Sequence, residues 1–366
     1  MKKIISLALI LVMLLSLAAC KDKNFLPVES TDEEARVMMT FSVGKEKYEL
    51  RYELYRALFL NFAADYDGGD RSFWSSPDAA DSLKAINDRI TSFALDIFAA
   101  IHHAKEIGYD AYSSAADDRV NELISRSVNG YSDENGSYEG FGGDYDAYLD
   151  SLRDMNLNYS VQVLLYRYSI AMEEITKYYA GEEEEGGFAT EGGALSATED
   201  DVRSFYFGED SARILLVTLD SRSYTATRAE EIRNTIAGFS SADEVAGYIV
   251  SHTATAPEDV FAGVVIGRYS LDSAYYREMV DAAFELGYGE TGKVISIITN
   301  DSSNYHILYK TVKNEEHFES NYESIRNVYI SDVIGRLISE DKKELLDSAK
   351  ATELYETIDH SNISMK

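Results

Sequence analysis

The sequence predicts an α+β protein: a mainly helical body together with one small mixed domain carrying four strands. Three observations predict it. Apolar residues recur at three- and four-residue steps over long stretches before residue 180 and again after residue 317. Between about 210 and 313, short β-branched and leucine-rich runs alternate with helical segments. Only 3 of the 366 residues are proline, which leaves long helices unbroken.

The elements follow in order. From Lys21 to about Arg36 the chain is polar, with Pro27 and Asp32-Glu33-Glu34, and a tether is assigned to 20–40. Tyr48, Tyr52, Tyr55, Phe59 and Phe62 describe one face of an amphipathic helix. Leu83, Ile86, Ile90, Phe93, Ile97 and Ile101 describe a longer one, ended by Gly108. Val120, Leu123 and Ile124 mark a third. The glycine-rich stretch Tyr131 to Gly143 reads as a loop, and two helices follow at 145–155 and 161–179. The acidic segment Gly181 to Gly193 is a solvated linker. Thr198-x-x-Asp201 then has the form of a capping box, and Ala212 to Leu219 is a buried strand. Helices are expected from Thr227 to Ala237, opened by Thr227-x-x-Glu230, and from Ala242 to Ser251. Gly263 to Ile266 is a second strand. A helix runs from Asp272 to Leu286 and is closed by Gly287 in a positive-φ conformation. Strands at 293–299 and 305–312 flank the turn Asn300-Asp-Ser-Ser-Asn304. A last helix, Phe318 to Ile338, precedes a polar tail.

Acids outnumber bases by 64 to 34, giving a formal charge of −30. Such a chain does not track a phosphate backbone, since nucleic-acid binding draws its affinity from Lys and Arg, so nucleic acid is excluded as a partner. Met1-Lys2-Lys3 is a positive n-region, and Ile4 to Leu17 is an apolar run too short to span a bilayer comfortably. The run ends in Leu17-Ala18-Ala19-Cys20, at the only cysteine of the chain. This resembles a bacterial lipobox. The resemblance implies a signal peptide over 1–19, cleavage before Cys20, lipid attachment at its sulfur, and a body held on the extracytoplasmic face of the cell membrane.

The order strand, two helices, strand, helix, strand, strand within roughly 100 residues resembles the parvulin domain of the SurA/PrsA-type extracytoplasmic foldases. Glu278-Met279-Val280-Asp281-Ala282-Ala283-Phe284-Glu285-Leu286-Gly287, followed by Gly289-Glu290-Thr291-Gly292, is similar to that family's helix and following turn. Tyr305-His306-Ile307-Leu308 resembles its closing strand and Ala212-Arg213-Ile214-Leu215 its opening one. The resemblance implies a four-stranded antiparallel sheet with helices over 196–313. It implies that this domain is inserted between an N-terminal helical domain at 41–195 and a C-terminal helix at 314–366 that completes the helical module.

Prolyl isomerisation needs no cofactor, metal or nucleophile. It needs an apolar cup for the proline ring and polar groups that favour the twisted amide. Carried over position by position, the family's second histidine is His306, the candidate catalytic residue. Its first histidine is replaced by Arg213, its acidic residue falls near Thr253 beside His252, and the Met and Phe of its cup fall at Tyr275 and Met279. Phe284 keeps an aromatic. The resemblance thus implies a membrane-anchored folding factor that binds unfolded or newly secreted chains, with isomerase activity weak or lost. A solute- or peptide-binding envelope lipoprotein without catalysis is the alternative, and a homodimer is left open. No C-x-x-C or H-E-x-x-H spacing points to a metal. His102 and His103 are consecutive, about 100° apart on a helix, and do not both ligate one ion comfortably. The acidic loop at 130–146 lacks the EF-hand order, which leaves calcium there undecided.

Overall fold

The computed structural model describes residues 30–133, 136–181, 193–195, 197–252, 257–270, 277–298 and 303–364. The fold is α+β. It divides into two compact units, one helical, over 30–175 and 337–364, and one built on a sheet, over 176–336. No helix among the described residues is long and apolar enough to cross a membrane.

The helical unit opens with a hairpin, β1 (Val37–Val43) and β2 (Glu46–Arg51), paired antiparallel from Val43↔Glu46. Its two-residue turn places Gly44 at φ +55°, the conformation such tight hairpins ask of a first turn residue. Residues 37–40, read as tether, are therefore strand, with Met38 and Phe41 fully buried. Tyr48, read as helical, lies on β2 opposite Phe41 and stacks on Phe98 at 5.6 Å. The helix it was assigned to, α1 (Tyr52–Asp67), starts one turn later and ends at Gly68. Helix α2 (Ala80–Glu106) buries Ile86, Ile90, Ile97 and Ile101 and stops before Gly108 at φ +100°.

Helix α3 (Ser114–Asn129) is capped by Ser113. The glycine-rich segment after it holds a short hairpin rather than a plain loop, β3 (Tyr131–Asp133) with β4 (Gly136–Tyr138). At its base the backbones of Gly130 and Gly140 touch: a Cβ on Gly140 would lie 2.3 Å from the Gly130 nitrogen. Helices α4 (Tyr145–Asp154) and α5 (Tyr159–Ala180) follow, and Asp144 spends its carboxylate capping α4 at 3.0 Å from the Ala147 nitrogen. Val120, Ile124, Tyr148, Leu152, Tyr159 and Ile170 make one core beneath them.

In the sheet unit, α6 (Glu199–Phe207) starts at a complete capping box between Thr198 and Asp201. Strand β5 (Ser211–Asp220) leads to α7 (Ala226–Ile236), capped by Thr225 rather than Thr227, then to α8 (Ala242–His252) and α9 (Pro257–Ala262). Strand β6 (Val264–Gly267), helix α10 (Arg277–Glu285), strand β7 (Ile295–Ile298) and strand β8 (Ser303–Thr311) complete the set. Gly287, expected at positive φ, is not among the positive-φ glycines; its N–H donates to the Glu290 carboxylate at 2.8 Å, and Gly289 takes the positive φ instead. The sheet is antiparallel, in the order β6-β5-β8-β7. Leu215, Val217, Leu219, Ile307 and Tyr309 pack on α7 and α8 from one face. Ala212, Ile214, Ile295, Ile297 and Leu308 pack on α10 from the other.

The final helical stretch breaks at Asn321 into α11 (Glu315–Ser320) and α12 (Tyr322–Asp347). Through Phe318 and Ile325 these pack on Val202 and Tyr206 of α6, within the sheet unit. The chain after α12, read as a polar tail, is ordered into the helical unit. Strand β9 (Lys350–Ala351) pairs with β1 at Met39 and Thr40, and Thr352 donates from its hydroxyl to the Val37 carbonyl at 2.9 Å. After α13 (Glu353–Thr357), His360 lies buried with Nε2 2.8 Å from the Tyr55 hydroxyl.

Candidate functional site

Strand alternation decides where the site residues point, because successive side chains leave opposite faces of a sheet. His306 pairs with Thr218 on β5 and Ile295 on β7, on the face covered by α10. Arg213 sits between Ala212 and Ile214, which face α10, so its own side chain leaves by the other face. Five positions of β5 also separate Arg213 from Thr218, about 17 Å along the strand. Arg213 and His306 do not converge. An imidazole placed at 213 would not meet the one at 306.

His306 is 5% exposed, and its Nδ1 lies 3.1 Å from the Thr218 hydroxyl. Burial depresses its pKa to about 4, so the ring is neutral at physiological pH. A neutral imidazole can donate one hydrogen bond and accept another, but it has no proton in excess to give. Met279 is 4% exposed and packs on Ala212, Ile214, Ile295 and Leu308, filling the layer in which the resemblance expects a cup. Phe284 is half-buried, with the Arg268 guanidinium 4.2 Å from its ring centre. Cys20, Thr253 and Tyr275 lie outside the described residues. His252 is exposed and stacks on Tyr248 at 4.0 Å.

Arg213 belongs to a different cluster. Its guanidinium donates to three backbone carbonyls, Phe261 at 3.0 Å, Val312 at 3.1 Å and Ala262 at 3.2 Å. It thereby ties the end of α9 to the end of β8. Burial lowers its pKa. His317 of α11 lies close by, stacked on Tyr206 and 2.9 Å from its hydroxyl, its pKa lowered to about 4 by burial and then by the Arg213 charge. Lys313 donates to the Gly208 carbonyl at 2.7 Å, and burial brings its pKa down to about 8. Around this polar knot the surface is apolar: Phe261 is 47% and Val312 56% exposed, and both belong to residues whose carbonyls Arg213 holds. Phe207, in ring contact with Tyr206, is exposed as well, and Val264, opposite Ile214 on the other face of the sheet, is exposed on the edge strand β6. Sequence reasoning missed His317 and Tyr206 because they meet only when α6 and α11 pack together; Tyr-Phe and His-Phe pairs bracketing the sheet domain were the available signal.

In the helical unit, a cleft of about 540 Å³ is lined by Tyr48, Arg51, Phe98, Tyr112, Tyr159 and Arg167, among others.

No family model matches the chain, and no curated protein matches it. Among solved structures it is similar to the foldase protein PrsA from Streptococcus pneumoniae str. Canada MDR_19A, at 14% identity over 75% of this chain and 86% of that one, with a TM-score of 0.26. It is similar to the foldase PrsA from Lactococcus lactis at 14% identity, over 87% and 95% of the two chains, with a TM-score of 0.23. The peptidylprolyl isomerase PrsA from Bacillus anthracis gives 18% identity, 68% and 95% coverage and a TM-score of 0.23. The likeness to these foldases is distant.

Proposed function

We propose that this chain is a lipid-anchored extracytoplasmic folding factor that holds unfolded or newly secreted polypeptides, with prolyl isomerisation weak or lost. The observation that carries the reading is the exposed apolar pair Phe261 and Val312, whose carbonyls Arg213 holds together, with Phe207 exposed beside Tyr206. Exposed apolar side chains gathered in one place mark a surface that another chain covers, and holding an unfolded segment asks for area rather than fine geometry. The isomerase part is weak on this reading because His306 is neutral and buried, Met279 fills its layer, and Arg213 leaves by the other face. Anchoring at Cys20 rests on the lipobox resemblance.

The test is an aggregation assay on an unfolded client, run beside a proline-limited refolding assay. Wild type suppresses aggregation and barely speeds refolding. Phe261→Ser with Val312→Ser, both exposed positions, reduces protection at least severalfold. Unchanged protection in that double variant overturns the patch, and strong isomerase activity abolished by His306→Gln overturns the weak-isomerase reading. A second reading, solute or peptide binding without catalysis, draws on the tyrosine- and arginine-lined cleft of the helical unit. It is favoured if a saturable small ligand protects that unit from unfolding while the client assay stays flat.

A further inference from the structure

Helix α2 carries His102 and Glu106 one turn apart, and α12 brings Asp341 against them. His102 is 7% exposed, and its two nitrogens are differently engaged. Nδ1 lies 3.1 Å from the Tyr48 hydroxyl. Nε2 points at Glu106 Oε1 from 3.6 Å, beyond hydrogen-bond length. Asp341 Oδ2 lies 2.8 Å from His103 Nδ1, which also comes within 3.8 Å of Glu106 Oε2. One ligand atom each from His102, Glu106 and Asp341 lies within 4.8 Å of the others.

We propose that His102 Nε2, Glu106 and Asp341 bind a divalent transition-metal ion such as zinc. Ligands about 2.1 Å from a tetrahedral ion stand about 3.4 Å apart, so small side-chain rotations close the observed spacing. An imidazole nitrogen with two carboxylates suits zinc and its neighbours rather than magnesium or calcium, which favour all-oxygen shells. The supporting contacts are those a metal site needs. Tyr48 takes the far nitrogen of His102, fixing the ring with Nε2 toward the ion, and His103 orients Asp341. His103 is engaged by the carboxylates themselves, its Nδ1 2.8 Å from Asp341 Oδ2 and 3.8 Å from Glu106 Oε2, so the site asks only His102 for a ligand nitrogen. The ion cross-links α2 to the last turns of α12, where Lys342 already meets Asp96 at 2.6 Å. Three protein ligands leave one position for water, or for a carboxylate or imidazole of a bound chain.

The experiment titrates the full chain, free of any histidine tag and stripped with chelator, with zinc chloride by calorimetry and follows thermal unfolding in parallel. One zinc binds per chain with micromolar or tighter affinity and raises the unfolding temperature. Glu106→Gln, at an exposed side chain that leaves the fold intact, and Asp341→Asn each weaken binding at least tenfold, and Tyr48→Phe weakens it about tenfold through the lost support. Absence of binding, binding unchanged in Glu106→Gln and Asp341→Asn, or equal displacement by magnesium or calcium overturns the proposal.

Discussion

In the helical unit, three buried or half-buried basic side chains are met by carboxylates, Arg56 by Glu34 at 2.7 Å, His103 by Asp341 at 2.8 Å and Lys342 by Asp96 at 2.6 Å, while His102 and His360 contact the hydroxyls of Tyr48 and Tyr55. In the sheet unit Arg203 has carboxylate partners in Glu315 and Glu199, but Arg213, Lys313, His306 and His317 are met by neutral oxygens. Arg213 donates to three backbone carbonyls, Lys313 to the Gly208 carbonyl, and His306 and His317 contact hydroxyls of Thr218 and Tyr206. The difference has a physical consequence. A carboxylate partner offsets the cost of burying a positive charge, whereas a carbonyl or hydroxyl satisfies the donor and leaves the charge exposed to the low dielectric. His306 and His317 are accordingly pushed toward the neutral form, as is the hydroxyl-partnered His360 of the helical unit, and Lys313 is pushed toward losing a proton. The helical unit's arrangement keeps negative charge next to imidazole nitrogen, which is what a metal ion needs.

Removing Arg213 is the strongest way to test the comparison. Arg213→Ala strands three carbonyls at the junction of α9 and β8, and an unsatisfied buried polar group costs about 1–3 kcal/mol. The expected loss in the sheet unit is about 3 kcal/mol or more, read by denaturant unfolding. Arg213→Met retains the apolar stem and loses less. A variant as stable as wild type would mean that the guanidinium is incidental to that corner.

Acid is the next lever. His306 and His317 have folded pKa values of about 4, below the roughly 6.5 of an unfolded histidine. Between those values the unfolded chain binds more protons than the folded one. Their contribution is thus intact above about pH 6.5 and is lost as pH falls toward 4. Each costs up to about 1.4 kcal/mol per pH unit in that window. Denaturant midpoints at pH 7 and pH 5 measure this, and His306→Gln removes its share of the slope. A sheet unit equally stable at both values breaks the contrast.

Much of the fold was legible because periodicity is local. The isoleucine stripe of α2, the capping box of α6 and the runs of β5 and β8 announce themselves within a dozen residues. What escaped depends on partners far along the chain. Residues 37–40 read as part of a tether, and Lys350 to Asn362 as a tail, because β1 and β9 recognise each other across some 300 residues. The site was less legible still. His306 and Arg213 are identifiable as positions, but whether they share a face depends on the register between β5 and β8, which no single strand encodes. The spacing of His102 and Glu106 is visible in the sequence. Asp341, which turns that pair into a cluster, arrives from another helix.

Asp332 makes the smallest and most discriminating test, since it runs against the histidines. It is 3% exposed on α12, and its Oδ1 accepts the Tyr269 N–H at 2.6 Å. It presses so close to Gly267 that a Cβ there would lie 2.5 Å from the same oxygen. Burial, first among the causes, raises its pKa to about 6. The value exceeds the roughly 3.9 of an unfolded aspartate, so its contribution is intact below about pH 4 and is lost as pH rises through 6. At pH 7.5 the sheet unit therefore carries a buried carboxylate with a backbone amide as its hydrogen-bond donor. Asp332→Asn keeps the acceptor for Tyr269 and removes the charge. It should gain about 1 kcal/mol at pH 7.5 and nothing at pH 4, steepening the net loss of stability on acidification, because the histidine slope is then unopposed. Should the variant instead be less stable at pH 7.5, the negative charge is wanted there. The nearby cations Arg268 and Arg336, which act to lower the Asp332 pKa, would then be its partners, and this corner of the sheet unit would follow the rule of the helical one.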